Sequence, residues 1–431
     1  MSTAASAYRL DGVYPQRQSG YFMQRVKLPA GVISAVQTRA VARIAAEFGQ
    51  GKIHLTTRGS MEIHWLAEQA LPLVKRELTK VGLTSRGACG GAVRGITCGS
   101  HGAQGFPEIE SLARRLQLHF TGNPRFEHLP KKFKIGIEAT VAGGRHLIQD
   151  VGLVLSGVAD GRNLYDVWIA GGLGREPRPG FLLSERVPEE RLIPVIEAVI
   201  KVYAANAPPP KRLKFLAAGF GEEKLRQLIE TESVYGEEIP PVTGLPLQLT
   251  GSPERGARIE LPVFAGELTS GELEQIAAAA DKYAGGVLLV TANQDIGLQL
   301  VPGIDAAHTL AQIQQSLGSV ASAVNCTLRV CPGNHECLMG LAPTRDVARQ
   351  LSASITEAGG KLSWAVSGCP NSCSQPQLAD VGVVCSRLTA AEDGEKVSLF
   401  DLYRRSGNGL GERVQERLTL AQLLTEVSKL V

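Results

Sequence analysis

The chain has 431 residues, room for about three domains, and 45 Lys+Arg against 42 Asp+Glu give it a formal charge of +3. That balance excludes the strongly basic face of a nucleic-acid binder, and no uninterrupted apolar run reaches membrane-spanning length. Residues 1–8 are small and mostly polar, without a signal-peptide core, so a soluble, cytoplasmic protein is expected, whose eight cysteines serve as thiols rather than disulfides.

In chain order, Arg25-Val-Lys-Leu-Pro29 closes an alternating strand. A helix follows from Ser34 to Phe48, with Ser34 as its N-cap, and then the β-rich run Ile53 to Thr57. A larger α/β stretch carries helix candidates at Glu108–Leu118 and Glu189–Asn206. The Pro-rich segment Tyr235 to Pro246 reads as a linker. The same grammar then recurs. Arg258-Ile-Glu-Leu-Pro262 is followed by a helix from Ser270 to Tyr283, capped by Ser270, by the β-rich run Val287 to Thr291, and by helices at Arg345–Ala358 and Leu420–Lys429.

The recurrence is an internal duplication at an offset of 230 to 235 residues. Arg25–Pro29 matches Arg258–Pro262, Leu55-Thr-Thr-Arg58 matches Val290-Thr-Ala-Asn293, and Val93-Arg94 matches Leu328-Arg329. Asp150-Val-Gly-Leu-Val154 matches Asp380-Val-Gly-Val-Val384, and Tyr165-Asp-Val-Trp168 matches Phe400-Asp-Leu-Tyr403. So long a period means two copies of a domain-sized unit rather than a solenoid. Strands interleaved with helices predict an α+β fold rather than a Rossmann stack.

The copies differ where chemistry is expected. The second holds Cys331-Pro-Gly-Asn-His-Glu-Cys337 and Gly368-Cys369-Pro-Asn-Ser-Cys373. Two close pairs of thiolates suit an iron–sulfur cluster, whereas zinc tetrathiolate sites use shorter knuckles. At the matching offset the first copy has Ala139 and Gly143. It carries Lys131-Lys-Phe-Lys134 instead, against Lys361-Leu-Ser-Trp364 in the second. Lys132 and Lys134 alternate around Phe133, so a strand there puts both ammonium groups on one face. Such a pair is either a solvated edge strand or one side of an anion site. Cys89, Cys98, Cys326 and Cys385 read as buried structural thiols. Gly171-Gly-Leu-Gly174 lacks the spacing of a nucleotide loop and reads as a structural turn.

The cysteine spacing and its Gly-Cys-Pro-Asn-Ser-Cys half resemble the signature of the sulfite/nitrite reductase hemoprotein family, over nearly the whole chain. The resemblance implies a pseudo-two-fold α+β architecture with siroheme between the halves. Its parts would be a first ferredoxin-like half-domain at 8–70, a first siroheme- and anion-binding α/β domain at 75–235, a second half-domain at 245–310, and a second α/β domain with the cysteines at 315–431. It implies a [4Fe–4S] cluster on Cys331, Cys337, Cys369 and Cys373, with Cys373 also bridging to siroheme. It implies that Arg25, Arg94, Lys132 and Lys134 bind the oxyanion and that Arg58, and more weakly His54, anchor siroheme carboxylates. Glu62 and Gly59 depart from the family pattern, which has a neutral amide and Gln there. His335 reads as a loop residue.

The implied reaction is six-electron reduction of sulfite to sulfide by the compact type of enzyme, fed by a separate donor such as ferredoxin or a flavoprotein. Nitrite reduction to ammonia on the same scaffold is the alternative, and Lys134 favours sulfite because nitrite-specialised relatives carry a neutral amide there. The Lys-x-Lys pair speaks against the family's cobalamin-pathway monooxygenase. A non-catalytic iron–sulfur electron-transfer or sensor protein would have no use for the cations.

Overall fold

The structure is a computed structural model and describes residues 8–238, 256–317, 326–390 and 394–429. Most of the expected linker, the start of the second half-domain and residues 318–325 lie outside the described residues.

The expected half-domains at 8–70 and 245–310 interlock around one core. One antiparallel sheet runs Val13–Pro15, Tyr21–Val26, Met61–Ala67, Lys52–Leu55, then Glu267–Thr269 from the second copy. The other runs Arg258–Leu261, Ile296–Gln299, Val287–Val290, then Val32–Ser34 from the first copy. Each copy thus lends a three-residue strand to the edge of its partner's sheet. Leu268 pairs with Ile53 and Ile33 with Leu288. Ile33, Ile53, Leu55, Leu268, Leu288 and Val290 are all at most 2% exposed and belong to one apolar cluster with residues of both copies.

The helices that follow the lent strands start alike. Ser34 and Gln37 form a capping box before Ala35–Phe48. Thr269 and Glu272 form its twin before Ser270–Tyr283, so the second N-cap is Thr269, not Ser270. A hydroxyl one residue upstream reaches the N3 amide, which a residue already inside the helix cannot do.

The two larger units repeat one strand order. In the first, Thr97–Cys98, Ile135–Glu138 and Val151–Ala159 are parallel, and Arg162–Ile169 and Phe181–Pro188 continue antiparallel. In the second, Leu328–Val330, Trp364–Ser367 and Val381–Ala390 are parallel, and Lys396–Arg404 and Glu412–Leu418 follow. A carboxylate, buried in the first unit and half-buried in the second, pins each at the same place. Asp150 accepts from the Lys134 amide at 2.9 Å, and Asp380 from the Ser363 amide at 2.8 Å.

These registers correct three details of the sequence alignment. Lys134 corresponds to Ser363, not Trp364. Arg25 pairs with Glu62 and Glu260 with Gly297, so Arg25 corresponds to Glu260, and Arg258 lies one pleat period earlier. Thr97 pairs with Gly136 and Arg329 with Ala365, so Arg329 corresponds to Thr97 rather than to Arg94. Short matches of a few residues slide easily along alternating strands. Helices at Leu71–Lys80, Leu213–Phe220, Glu222–Glu230 and Ala306–Leu317 add to the expected set.

The lent strands give a stability prediction. Ile33→Ala removes a buried side chain from a strand that belongs to the other copy's sheet. It should lower unfolding free energy by about 2–5 kcal/mol. Circular dichroism in a urea titration checks this, and signals from both half-domains should shift together.

Candidate functional site

The two cysteine loops sit at the ends of parallel neighbours, Leu328–Val330 and Trp364–Ser367. Three glycines let them touch through backbone. A Cβ at Gly340 would lie 2.3 Å from Gly333 C, and one at Gly368 would lie 2.9 Å from Gly333 Cα. The Gly368 amide donates to Cys331 Sγ at 3.2 Å. Met339 and Gly340 amides favour a thiolate at Cys337, as the Asn371 amide does at Cys369. Burial, with the neighbouring Cys373 charge, pushes the Cys369 thiol up to about 11 and raises those of Cys331 and Cys337. Among the described residues no three Cys, His, Asp or Glu side chains close on one point. Four thiols on two loops that touch through glycine backbone are a donor set that suits an iron–sulfur cluster.

The first half-domain docks on the second loop. Thr57 Oγ1 donates to the Cys373 carbonyl at 2.9 Å, and Gln375 Nε2 donates to the Thr57 carbonyl at 3.1 Å. The next residue, Arg58, turns the other way. Its guanidinium donates to Gln149 Oε1 and to the Gly95 carbonyl, each at 2.9 Å. This Thr56–Ser60 turn thus joins the cysteine unit to the other α/β unit. Gly59 has φ +60° and a Cβ there would lie 3.0 Å from the Val290 carbonyl and 3.2 Å from Gly31 Cα. Contact with those backbones accounts for glycine where the family pattern has Gln.

The cations gather around Phe133. Phe133 bridges to Val93 in parallel, and the Arg94 amide donates to the Phe133 carbonyl at 2.8 Å, so Arg94 lies beside Lys132 and Lys134. Lys132 and Lys134 occupy an extended approach to the strand that starts at Ile135, and Phe133 between them is fully buried. Lys132 and Arg25 both feel the Cys373 charge. Burial pushes Lys132 down to about 8, with Arg212 and Arg94 adding repulsion. Burial and then Lys132, Arg212 and Arg58 hold Lys134 well below the usual lysine range. Burial first, then like charges, bring Arg94 to about 10 and Arg58 to about 9.

Three further cations escaped the sequence reading. Lys27, 2% exposed, donates to Thr121 Oγ1 at 3.0 Å and is pushed down to about 7 by burial and by Arg94. Arg212 pairs with the buried Asp150 at 2.9 Å. Lys214 donates to the Leu173 carbonyl at 3.1 Å, so the Gly171–Gly174 turn is anchored by cations rather than open to a phosphate. Lys27 and Lys214 were hidden in ordinary Lys-Leu and Lys-Phe contexts, and only their spatial neighbours, Arg94 for the one and Arg212 for the other, mark them. Arg212 Nε is buried without a partner. So many buried cations with few carboxylates among them fit a carboxylate-rich macrocycle such as siroheme.

Two sequence-predicted members behave differently. Arg25 is held by Glu62, whose Oε1 accepts from Arg25 Nε at 2.8 Å. That pair raises the Arg25 pKa and holds the Glu62 carboxyl well below its usual range, against the cost of burial. Glu62 Oε2 also lies 3.4 Å from His64 Nε2. His54 is buried in the half-domain core beside Gln294, 3.2 Å from its Nε2, and burial brings it down to about 3. It is neutral at physiological pH and adds no charge toward a carboxylate.

His54 carries a pH signature. Unfolded, it takes up a proton near pH 6.5, and folded only near 3, so stability falls as pH drops through that window. Between pH 6.5 and 4.5 the wild type should lose about 2 kcal/mol more than His54→Gln, read from urea midpoints at both pH values.

The comparisons agree with this geometry. The family model described as the nitrite/sulfite reductase ferredoxin-like half domain matches residues 14–81 and 255–316. The model described as the nitrite and sulphite reductase 4Fe-4S domain matches residues 96–235, the copy without the cysteine pairs. An assimilatory ferredoxin-dependent nitrite reductase of Haloferax mediterranei is 29% identical over 94% of this chain and 77% of its own. A sulfite reductase [ferredoxin] of Mycolicibacterium paratuberculosis is 27% identical over 94% and 80%. The solved Mycobacterium tuberculosis NirA protein superposes with a TM-score of 0.85 at 22% identity, covering all of this chain and 87% of that one. With duplicated half-domains, interlocked sheets and cysteine pairs in one copy, the matching family models and relatives place the chain in the sulfite/nitrite reductase hemoprotein family, which uses siroheme and a [4Fe–4S] cluster.

Proposed function

We propose that the chain reduces sulfite to sulfide, consuming six electrons and eight protons and releasing three waters. What supports this reading is that Arg94 is bonded through its backbone to the Lys132-Phe133-Lys134 segment and that Lys132 lies within electrostatic reach of Cys373. Cys331, Cys337, Cys369 and Cys373 would hold the cluster. Cys373, exposed and within electrostatic reach of Arg25 and Lys132, would bridge to siroheme. Arg58, Lys27 and Arg212 would meet the macrocycle's carboxylates. When bound, siroheme and cluster supply the electrons one at a time.

The protein's own part is binding and protonation. Clustered cations concentrate a dianion that would otherwise be repelled. Arg94 orients it through its planar fork. Lys132, brought down to about 8, and Lys134, held well below the usual lysine range by burial, give up protons at Nζ as S–O bonds break. The donor we favour is a ferredoxin-type carrier, the class named for several relatives, with a flavoprotein as the alternative. Steady-state rates with each would separate them.

Nitrite is the second reading. It is favoured by Glu62, which cancels the Arg25 charge and leaves a pocket better matched to a monoanion. Lys134→Asn decides between them. Sulfite turnover should fall roughly 10²–10⁴-fold, nitrite turnover less, with the cofactor spectrum unchanged, measured with an artificial reductant. Unchanged sulfite turnover in a loaded variant would return the assignment to nitrite.

The bridging role has its own test. Cys373→Ser should disturb the visible spectrum of siroheme as well as acid-labile sulfide content. Cys385→Ser should leave both intact, since Cys385 Sγ is buried against the Arg387 carbonyl at 3.8 Å.

A further inference from the structure

Duplication gives the molecule a second cleft, related to the first by the pseudo-two-fold. It has a volume of about 510 Å³ and is lined by Ser100, His101, Gly143, Arg145, Arg258 and Asn293 among others. Ser100 and His101 follow Thr97–Cys98 as the first cysteine loop follows Leu328–Val330. The Gly99 amide donates to Ile137 as the Cys331 amide does to Val366. Gly143 and Arg145 follow Ile135–Glu138 as the second cysteine loop follows Trp364–Ser367. Asn293 occupies the Arg58 place in a turn with the same bonds: Thr291 Oγ1 accepts from Asn293 N, and Thr56 Oγ1 from Arg58 N.

The cleft keeps the frame of the first site and none of its thiols. The nearest, Cys98, is buried with Sγ 3.5 Å from the Ile109 carbonyl. What it has instead is two guanidiniums. Arg145 Nη2 donates to Asn293 Oδ1 at 3.1 Å, while its Nε is buried without a partner. Arg258 Nη1 is likewise buried without a partner and lies 3.9 Å from where a Gly102 Cβ would sit. Both charges act on His101, which burial and these two arginines hold neutral, near 3. The opposing carboxylates are few. Glu260 lies 3.5 Å from Arg258 Nη2 at the exposed rim. Glu138, beneath the loop, accepts from Ser100 Oγ at 3.0 Å and is pushed up by burial to about 7, so it offsets Arg145 only in part.

We propose that this cleft is a second, redox-inert anion site, binding a tetrahedral dianion of the phosphate or sulfate type between Arg145 and Arg258. The missing partners of two buried guanidinium N–H groups are what such an ion supplies, and the absence of thiols and of an Arg58 counterpart separates it from the cofactor site.

Isothermal titration of the loaded enzyme with inorganic phosphate at low ionic strength tests it. The double variant Arg145→Gln/Arg258→Gln should weaken one binding event roughly 10- to 100-fold, with the cofactor spectrum unchanged. Lys132→Gln, in the first cleft, should leave that event in place. Gly143→Asp gives a second variant. Its Cβ would lie 3.4 Å from Arg145 Nη1, so the new carboxylate should occupy the guanidinium and weaken phosphate similarly. Three results would overturn the proposal: no phosphate binding by the wild type, binding lost only in Lys132→Gln, or two tetrapyrroles per chain of which one disappears in the double variant.

Discussion

Everything about this molecule's chemistry depends on the exchange of two short strands. Because Val32–Ser34 completes the second copy's sheet and Glu267–Thr269 the first's, the half-domains cannot shift relative to one another without breaking both ladders and opening their shared core. The α/β units hang on that rigid frame. The Thr56–Ser60 turn then reaches both of them at once, with Thr57 on the cysteine loop and Arg58 on the opposite unit. A site assembled from three pieces holds its geometry only if the pieces are fixed by something larger than the site.

The electrostatics follow from that enclosure. Arg94 is 7% and Lys27 2% exposed, and the carboxylates within reach are already engaged: Asp150 by Arg212 and Glu62 by Arg25. Such burial is costly for a cation alone, so the folded chain carries an unfavourable charge distribution that an anionic partner relieves. The lowered lysine pKa values and the affinity for a polyanion are two expressions of this one imbalance. Glu62 is the local exception, a carboxylate inside the cationic wall that offsets the charge of Arg25.

Much of this was legible in the sequence. The cysteine pairs, the duplication and the Lys-x-Lys run stand out because spacing and period are linear properties. Arg94 lies beside the Lys132–Lys134 segment, and Lys132 is within electrostatic reach of Cys373. The lent strands were not legible, since three residues with no alternation long enough to register look like loop. Lys27 and Arg212 became visible only in space, and His54 turned from a possible anchor into a neutral core residue because its surroundings, not its strand position, set its charge. The repeat was correct as a whole and displaced in detail. Asp150 and Asp380 stay in register because each is fixed by a backbone amide, whereas Arg25 and Arg258 were matched by letters that a two-residue slide leaves on the same face.

The strand exchange also sets an order on the ribosome. The first copy's sheet is otherwise complete once Ala67 has been made, but its Lys52–Leu55 edge waits for Glu267–Thr269. At ~5–20 residues per second that delay is roughly 10–40 s. During it a four-stranded sheet is left with an open edge, the kind of surface that invites pairing with another chain. That edge closes before any cysteine of the Cys331–Cys373 set has been made, so the frame is completed ahead of the loops it positions.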